Sequence, residues 1–372
     1  MDNKAKVLFI LHLPPPVHGA SMMGQLIKDS TLVNNSFEAD YINLSISKNL
    51  NEIEKYGVPK FFRLLKLQAK VLRALLKKRY DLCYITLTVS GPSFYKDLLI
   101  VLLLKLFGRK IIYHFHNKGV EEASRLWINR VLYAFTFKNT KSILLSNHLY
   151  PDIKRYVRES DVYYCPNGIP LNPYKDSHVP ESGEKDICRL LFFSNMMMQK
   201  GVYVLLDACK LLTYKGVNFE CHFVGAWSDI SESEFKNEVE KNGLQKHVFA
   251  HGGKYGAEKG KFFFNSDVFI FPTYYHNETF GLVNLEAMQF SLPVISTTEG
   301  GISEVVSDGS TGFLVPQRNI TALARKIEAL INDVKLRQKM GEAGKERYYN
   351  NFTLEKFEER LVNILKDSAG AN

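Results

Sequence analysis

Short apolar runs alternate with longer helical patterns along the whole chain. In the first half these runs predict strands at 7–11, 39–44, 82–87, 110–115, 142–145 and 162–165. The second half repeats the alternation, with predicted strands at 187–193, 219–224, 248–250, 268–271 and 292–296. Neighbouring parallel strands need a crossover, commonly a helix, so the alternation predicts parallel sheets covered by helices. We predict an α/β fold with two doubly wound Rossmann-like domains that face each other across a cleft.

A turn-rich segment marks the predicted domain boundary. Residues 166–170 read PNGIP after the last predicted strand of the first half, and a polar tract continues to about Lys185. Proline and glycine at this density are typical of a connection. The chain has 372 residues, which exceeds one typical domain. The predicted domains are residues 1–170 and 171–351.

The net charge of +9 is concentrated in the first domain. Residues 1–170 contain 25 basic and 13 acidic residues, a net charge of +12, whereas the remaining residues carry −3. This asymmetry indicates an anionic partner for the first domain, either a membrane surface, a phosphorylated substrate or nucleic acid. Nucleic acid is not favoured, because the basic stretch lacks a recognised nucleic-acid-binding motif.

The cysteine pattern and the hydropathy of the sequence predict a cytoplasmic location for the protein. The five cysteines are scattered and form no C-x-x-C pair, so neither a disulfide framework nor a zinc site is predicted. The longest apolar run, residues 98–104, is too short to span a bilayer. We expect a cytoplasmic protein, with a peripheral position at the inner face of the plasma membrane as a further expectation from its charge.

Residues 58–79 form a basic amphipathic pattern. Six basic residues recur at three- and four-residue steps beside an apolar stripe, and no acid occurs between Tyr56 and Tyr80. One interpretation is a solvated face of an ordinary surface helix, and the other is contact with anionic lipid headgroups. Both stay open for the basic residues nearest the start of this helix, Lys60, Arg63, Lys66 and Lys70.

The stretch 271–301 predicts an anion site. A strand ending at Phe271 leads through a polar loop to a helix predicted from about Phe280 to Phe290. Glu278 is predicted on the loop and Glu286 in the second turn of the helix. The N–H groups at the helix start favour an anion. Two acids and a helix N-terminus therefore suit a ligand that has both hydroxyls and phosphates.

Lys200 is a second candidate for phosphate contact. It lies between a predicted strand end and a helix start, where an ammonium group can meet a phosphate. Taken alone, an exposed loop lysine is the more common interpretation. The chain contains no D-x-D pair, no G-x-x-x-x-G-K-[ST] loop and no G-x-G-x-x-G after its first strand. These absences disfavour a carboxylate-bridged metal, a common nucleotide triphosphatase and a dinucleotide oxidoreductase.

Residues 278–315 read ETFGLVNLEAMQFSLPVISTTEGGISEVVSDGSTGFLV. This segment resembles the E-x7-E core of retaining glycosyltransferase family four, which has the GT-B fold. Gly19, His116, Pro166-Asn167-Gly168 and Lys200-Gly201 occur in the family's order, so the resemblance covers nearly the whole chain. A GT-B enzyme usually returns its last helix to the N-terminal domain. The resemblance therefore places residues 352–372 with residues 1–170.

The resemblance implies that the second domain binds a nucleoside-diphosphate sugar without a metal or another cofactor. Glu286 would bind the ribose hydroxyls, and Glu278 would hold hydroxyls of the transferred sugar. Lys200 would neutralise the diphosphate leaving group together with the amides at Phe280, Gly281 and Leu282.

Further residues are assigned by the same resemblance. Gly19 would approach the diphosphate, and His116 would contact the transferred sugar or the acceptor, with His114 as the alternative. Gly225 and the loop at 251–254, which includes Lys254, would border the nucleobase. The family's usual arginine five residues before the lysine is Asn195 here, which carries no charge. Lys254 is our candidate for the compensating cation.

The sequence thus favours a retaining glycosyltransferase. The acceptor would attack the sugar from the same face as the one from which the leaving group departs. A lipid-linked saccharide of bacterial surface polysaccharide assembly is the expected acceptor. Two alternatives stay open: a non-catalytic relative that binds a nucleotide sugar, for which Asn195 is the support, and a nucleotide-sugar epimerase of similar architecture.

Overall fold

The chain divides into two compact units, residues 1–167 with 355–372, and residues 168–354. The structure is a computed structural model that describes residues 4–46, 58–173 and 187–370. The polar tract predicted to link the domains lies largely outside these ranges. Each unit is built around one six-stranded parallel sheet, with orders β2-β1-β3-β4-β5-β6 and β12-β11-β10-β7-β8-β9. The prediction of two doubly wound parallel sheets is confirmed.

The first unit begins with a buried central strand because five consecutive apolar side chains of β1 are enclosed on both faces of the sheet. Its strands are β1 (Lys6–Leu11), β2 (Glu38–Asn43), β3 (Leu82–Ile85), β4 (Ile111–His114), β5 (Lys141–Leu144) and β6 (Val162–Tyr164). Its helices before the boundary are α1 (Gly19–Asp29), α2 (Thr31–Ser36), α3 (Val58–Lys77), α4 (Gly91–Leu106), α5 (Val120–Ala123), α6 (Trp127–Phe137) and α7 (Tyr150–Ile153).

The second unit repeats this plan. Its strands are β7 (Cys188–Phe193), β8 (Phe219–Val224), β9 (Val248–Ala250), β10 (Val268–Phe271), β11 (Val294–Thr297) and β12 (Gly312–Val315). Its helices are α8 (Val202–Tyr214), α9 (Glu232–Lys241), α10 (Gly256–Phe264), α11 (Leu282–Gln289), α12 (Ile302–Val305), α13 (Ile320–Asn332) and α14 (Val334–Asn351). The short edge strand β12 was not predicted; it starts at Gly312, a residue type that is depleted in strands.

The helix after β10 starts later than predicted. Gly281, with φ +68° and ψ +61°, caps α11, so the helix runs from Leu282 to Gln289 rather than from Phe280 to Phe290. A left-handed residue cannot continue a helix backward, and glycine adopts this conformation without steric cost. Phe280 instead lies in the core, with its ring 6.1 Å from that of Phe352.

The last helix, α15 (Leu354–Ala369), packs on the first unit from Glu355 onward. Its apolar stripe is buried, and the ring of Phe357 stacks 6.4 Å from that of His114 at the end of β4. At its C-terminal end, Lys110 Nζ donates to the carbonyl of Ala369 at 3.0 Å, and Lys141 pairs with Asp367 at 3.2 Å. Cations at a helix C-terminus also complement the dipole.

We predict that Phe357→Ala lowers the free energy of unfolding by about 3–5 kcal/mol, because it leaves a cavity beneath α15. Glu359→Ala, at an exposed position of the same helix, is the matched control and should change stability by less than about 0.5 kcal/mol. Urea denaturation of both variants measures the difference. Equal effects would show that α15 contributes no core to the first unit.

Candidate functional site

Lys200 is placed by close backbone packing between two loops of the second unit. Gly201 caps α8 with φ +89°, and a Cβ added there would lie 2.2 Å from the carbonyl oxygen of Pro272. The amide of Tyr274 donates to the carbonyl of Gln199 at 2.9 Å. The loop before α8 is therefore held against the loop after β10, and only glycine permits this approach.

Lys200 and Glu278 form a mostly buried ion pair at the N-terminus of α11. Lys200 Nζ lies 2.6 Å from Glu278 Oε2, and the other carboxylate oxygen accepts from the Gly281 amide at 3.1 Å. The lysine also lies over the Tyr275 ring, 4.4 Å from its centroid. A carboxylate thus occupies the place predicted for a phosphate, with a cation on one side and a helix-start amide on the other.

The Gly-Gly turn after β11 fixes the backbone of Glu278. Gly300 has φ +56°, and a Cβ there would lie 2.2 Å from the Glu278 carbonyl oxygen. The Gly301 amide donates to the carbonyl of Thr279 at 2.8 Å. The acid at 278 is therefore positioned by backbone contacts from both sides of its loop.

Glu286 lies one turn further along α11 and has its own cation. Its Oε2 is 2.6 Å from Lys259 Nζ of α10, and this ammonium lies 4.9 Å from the centroid of the Phe193 ring. Lys259 was not singled out from the sequence, because one lysine on an amphipathic helix gives no signal of its own. The two acids of the predicted pair thus each face a lysine.

Asn195 and Gly225 lie at neighbouring strand ends. The carbonyl of Ser194 would be 1.7 Å from a Cβ added at Gly225, so β7 and β8 approach each other closely after their last residues. Asn195 is exposed. Lys254, the cation suggested as its replacement, lies 3.6 Å from Glu258. The structure gives no contact between Lys254 and the Lys200–Glu278 pair in the described ranges.

A second cluster, made of histidines, follows β1 and β4 of the first unit. His12 Nδ1 lies 3.0 Å from Thr86 Oγ1, and the ring of His18 is 6.1 Å from that of His12. His18 caps α1 by accepting from the Ser21 amide, which makes Gly19 the first residue of the helix. His116 lies 4.3 Å from His114, ring to ring. The sequence reasoning named His116 and His114 but overlooked His12 and His18 as site residues.

Burial keeps these histidines neutral. It lowers the pKa of His116 to about 3, with a smaller contribution from His18, and lowers the pKa of His12 well below its usual range, helped by Lys96. The pKa of His114 is also strongly lowered by burial, and Tyr84 Oη lies 2.5 Å from its Nδ1. At neutral pH the cluster offers hydrogen-bonding rings and no charge.

The basic residues assigned to the acceptor or membrane side lie on α3. Arg63 Nη1 donates to the carbonyl of Ile46 at 2.9 Å. Lys66 and Lys70 are exposed on the helix. Lys60 lies in the first turn of α3, and its side chain is outside the described part of the structure.

We predict that Gly201→Ala destabilises the protein by about 3 kcal/mol or more, because it adds a backbone clash to an unfavourable φ. Gly216→Ala is the matched control. It has a similar φ of +71° with nothing within 4 Å of an added Cβ, and should cost about 1 kcal/mol. Urea unfolding compares the two. Equal losses of unfolding free energy in the two variants would mean that the close approach of Gly201 to Pro272 adds no cost to a side chain at position 201.

We predict that His116 makes the fold sensitive to acid. Its folded pKa of about 3 lies below the ordinary value of 6.5, so stability is complete above pH 6.5 and is lost as the pH falls towards 3. By pH 5 the loss from this group is about 1–2 kcal/mol. In His116→Gln the fall in unfolding free energy between pH 7 and 5 should be smaller by that amount. The exposed His148→Gln is the control, and equal slopes in both variants would contradict the prediction.

Part of the chain is similar in sequence to known glycosyltransferases. Residues 176–347 match the family model "Glycosyl transferases group 1". The capsular polysaccharide biosynthesis glycosyltransferase CapM of Staphylococcus aureus is 34% identical over 188 residues, 48% of this chain and 47% of that protein. A D-inositol 3-phosphate glycosyltransferase of Arthrobacter is 33% identical over 186 residues, 48% of this chain and 44% of that one. The chain thus spans about half the length of the curated relatives it matches.

Solved structures extend the likeness to the whole chain at the level of the fold. A glycosyltransferase from Rickettsia africae superposes with a TM-score of 0.77 at 21% identity, over 100% of both chains. HepE of Anabaena, solved in complex with UDP and glucose, superposes with a TM-score of 0.72 at 20% identity, over 97% of this chain and 99% of HepE. At the level of the fold the resemblance stated from the sequence is confirmed: the chain has the GT-B fold of these glycosyltransferases, and its residues 176–347 match the model of group 1 glycosyl transferases.

Proposed function

We propose that the protein is a retaining glycosyltransferase that moves a sugar from a nucleoside-diphosphate sugar to a saccharide acceptor. The observation that carries the proposal is the contact of Lys200 with Glu278 at the N-terminus of α11. A cation, a helix-start amide and an acid within one hydrogen-bonded group suit a ligand that has a diphosphate and a sugar. The match of residues 176–347 to group 1 glycosyl transferases supports the same assignment.

Donor binding would exchange one anion for another. Without a donor, the Glu278 carboxylate accepts hydrogen bonds from the Gly281 amide and from the Lys200 ammonium. When a donor diphosphate takes these two partners, Glu278 is released to accept hydrogen bonds from hydroxyls of the transferred sugar. Lys200 and the amides at Phe280, Gly281 and Leu282 then stabilise the charge that develops on the leaving group. In this proposal cations and dipoles of the protein perform the task, and no metal is required.

The nucleoside would lie along the second acid of α11. Glu286 accepts hydrogen bonds from the ribose hydroxyls, and Lys259 orients that carboxylate through their 2.6 Å contact. The Lys259 ammonium also lies over the ring of Phe193, the last residue of β7, and Phe193 is two residues before Asn195 in the sequence. We therefore propose that Lys259, rather than Lys254, is the cation that compensates for the uncharged Asn195. Gly225 and Lys254 are proposed to border the nucleobase, and Gly19 to approach the diphosphate.

The acceptor would react on the face of the sugar from which the leaving group departs. No carboxylate is assigned as a nucleophile, since Glu278 is engaged by sugar hydroxyls. The departing phosphate oxygen therefore takes the acceptor's proton, and configuration is retained. His116, neutral because of burial, contacts the transferred sugar or the acceptor as a hydrogen-bonding group. Loss of water from the site during reaction would suppress hydrolysis of the donor.

The setting proposed is assembly of a bacterial surface polysaccharide, in the cytoplasm and at the inner face of the plasma membrane. CapM, a relative by sequence, is named for capsular polysaccharide biosynthesis. The basic residues Arg63, Lys66 and Lys70 of α3 would attract the phosphate of a lipid-linked acceptor. Within the described ranges, no helix is long and apolar enough to cross a membrane.

A non-catalytic protein that binds a nucleotide sugar is the second candidate, and Asn195 favours it. A permanently charged arginine stabilises a diphosphate with two parallel hydrogen bonds, which asparagine cannot replace. Such a protein would bind the donor without forming product from it. A nucleotide-sugar epimerase would instead convert the donor without an acceptor.

The test is steady-state transfer with a panel of nucleotide sugars and a lipid-linked oligosaccharide extract. We predict that Glu286→Gln raises the donor KM about 10- to 100-fold, because hydrogen bonds to a charged acid are lost. Lys200→Ala should lower kcat by about 10²–10³-fold, because the leaving group loses its cation. The exposed variants Glu342→Gln and Lys339→Ala on α14 are matched controls and should be unaffected.

The outcomes separate the candidates. Product that depends on Glu286 and Lys200 supports the transferase, and unchanged kcat/KM in both variants would refute the assigned site. Donor binding without product from any acceptor would favour the non-catalytic candidate. An epimer formed from donor alone would favour the epimerase.

A further inference from the structure

Three helices of the first unit lie side by side on one face of its sheet. The connections β2 to β3, β3 to β4 and β4 to β5 all move in the same direction along the strand order, whereas β1 to β2 moves in the opposite direction. Crossovers between parallel strands are right-handed, so the direction of movement decides the face. The helices α3, α4 and α6 therefore form one layer, opposite α1.

The layer is continuous. Helix α3 packs beside α4. Between α4 and α6, Tyr95 Oη donates to Asn129 Oδ1 at 2.8 Å, and Lys105 Nζ lies 5.3 Å from the centroid of the Phe135 ring. The side of this layer that points away from the sheet is called the three-helix face below.

Helix α3 carries three distinct stripes. Leu67, Val71 and Leu75 are buried against the unit. Leu65, Leu72 and Leu76 are exposed, and Leu76 has 69% of its surface accessible. A third stripe, equally exposed, consists of Lys66, Lys70, Arg73 and Lys77. A surface helix normally needs one apolar stripe, which faces the core. This helix has a second one, and its basic residues flank it.

Helix α4 is apolar on both sides. Phe94, Ile100 and Leu104 are buried, whereas an opposite stripe at i, i+4, i+7 and i+11 is exposed to solvent. That exposed stripe consists of Tyr95, Leu99, Leu102 and Leu106. Helices that are apolar all round lie in a protein core or in contact with lipid. In the described part of the structure the side chains of this stripe keep between 41% and 72% of their surface accessible.

Helix α6 repeats the pattern beside α4. Tyr133 and Phe137 are buried, and Trp127, Val131 and Phe135 are exposed on the opposite side. Trp127 has 71% of its surface accessible. Tryptophan prefers the boundary between lipid and water, where its ring is partly buried and its N–H stays hydrated. An exposed tryptophan among exposed aliphatic side chains is thus a marker of a bilayer boundary.

The positive charge of the three-helix face favours an anionic partner over a second copy of the chain. The three helices together contain nine basic residues and a single acid, Asp97. Asp97 is buried and paired with Lys96 at 2.8 Å, so it contributes no negative charge to the surface. A second copy of this face would bring the same positive charges together, which is repulsive. An anionic lipid surface is complementary to both the charge and the apolar stripes.

We propose that the three-helix face docks on an anionic bilayer, with its helices lying in the plane of the interface. The leucines of α3 and α4 and Trp127 of α6 enter the boundary between headgroups and acyl chains. Lys66, Lys70, Arg73 and Lys77 lie at the lipid phosphates. This inference deepens the membrane part of the proposed function, which named only basic residues of α3, by adding the apolar contact made by α4 and α6.

The first experiment uses Trp127 as its own reporter. The chain contains two tryptophans, so the full-length Trp227→Phe variant leaves Trp127 as the sole fluorophore. It is mixed with vesicles of phosphatidylcholine containing about one third phosphatidylglycerol, with and without brominated acyl chains. We expect a blue-shifted emission that brominated lipid quenches. An unshifted and unquenched emission in anionic vesicles would overturn the proposal.

Vesicle sedimentation of the wild type and of paired variants assigns the contact. Lys66→Gln/Lys70→Gln should weaken binding to anionic vesicles by about 30-fold, and Leu99→Ser/Leu102→Ser by about tenfold or more. The matched controls on the second unit are Lys335→Gln/Lys339→Gln and Tyr214→Ser, all at exposed positions, and should bind as the wild type does. Equal losses in test and control pairs would overturn the proposal.

The same samples decide between a bilayer and a second copy of the chain. Light scattering of the free protein should give a monomer mass for the wild type and for Leu99→Ser/Leu102→Ser. A wild-type dimer that this variant dissociates, without a change in vesicle binding, would assign the face to self-association and refute the bilayer. Vesicle binding is measured without donor or acceptor, so its failure would leave the test of sugar transfer independent.

Discussion

The ion pair between Lys200 and Glu278 is the interaction on which the candidate site depends. Two charged groups that are mostly removed from water are stabilised only when geometry and hydrogen bonds compensate their desolvation. Here the Gly281 amide supplies the additional bond, and Gly201 and Gly300 let the two loops approach backbone to backbone. In the proposed function the pair is an internal stand-in for an anionic ligand, and it would keep the cation and the helix terminus in place before a donor binds.

The two units differ in the charge of the side chains at the ends of their strands. The second unit holds paired charges at the carboxyl ends of its parallel strands, where ligands of such sheets bind. The first unit holds histidines whose pKa values are lowered by burial at the same ends of its own sheet, and it carries the excess positive charge on its outer helices. A charged donor, an uncharged reacting sugar and an anionic surface would each meet the chemistry suited to it. In this account the charge asymmetry of the sequence reports on the environment of the acceptor.

The sequence predicted the fold well because strand–helix alternation is a strong periodic signal in both halves. It placed Glu278, Glu286 and Lys200 on the correct elements, because the succession of strand, loop and helix around each of them is a local signal. It could not give the partners of these acids. Lys259 reaches Glu286 from another helix, and His12 and His18 lie near His116 although 104 and 98 positions separate them in the sequence. Such contacts depend on tertiary packing, and no local pattern encodes them. The exposed stripe of α4 was equally hidden, because an apolar helix is usually buried.

Equilibrium binding of nucleoside diphosphates tests the central claim most directly, because it requires neither an acceptor nor turnover. Calorimetry of the full chain with UDP, GDP, ADP and CDP is performed on the wild type, Lys200→Ala and Glu286→Gln. The account predicts that at least one diphosphate binds the wild type and that each variant binds it at least about tenfold more weakly. Binding that is unchanged in both variants, or absent for every nucleotide, would contradict the assignment of Lys200, Glu278 and Glu286 to a nucleotide-sugar site.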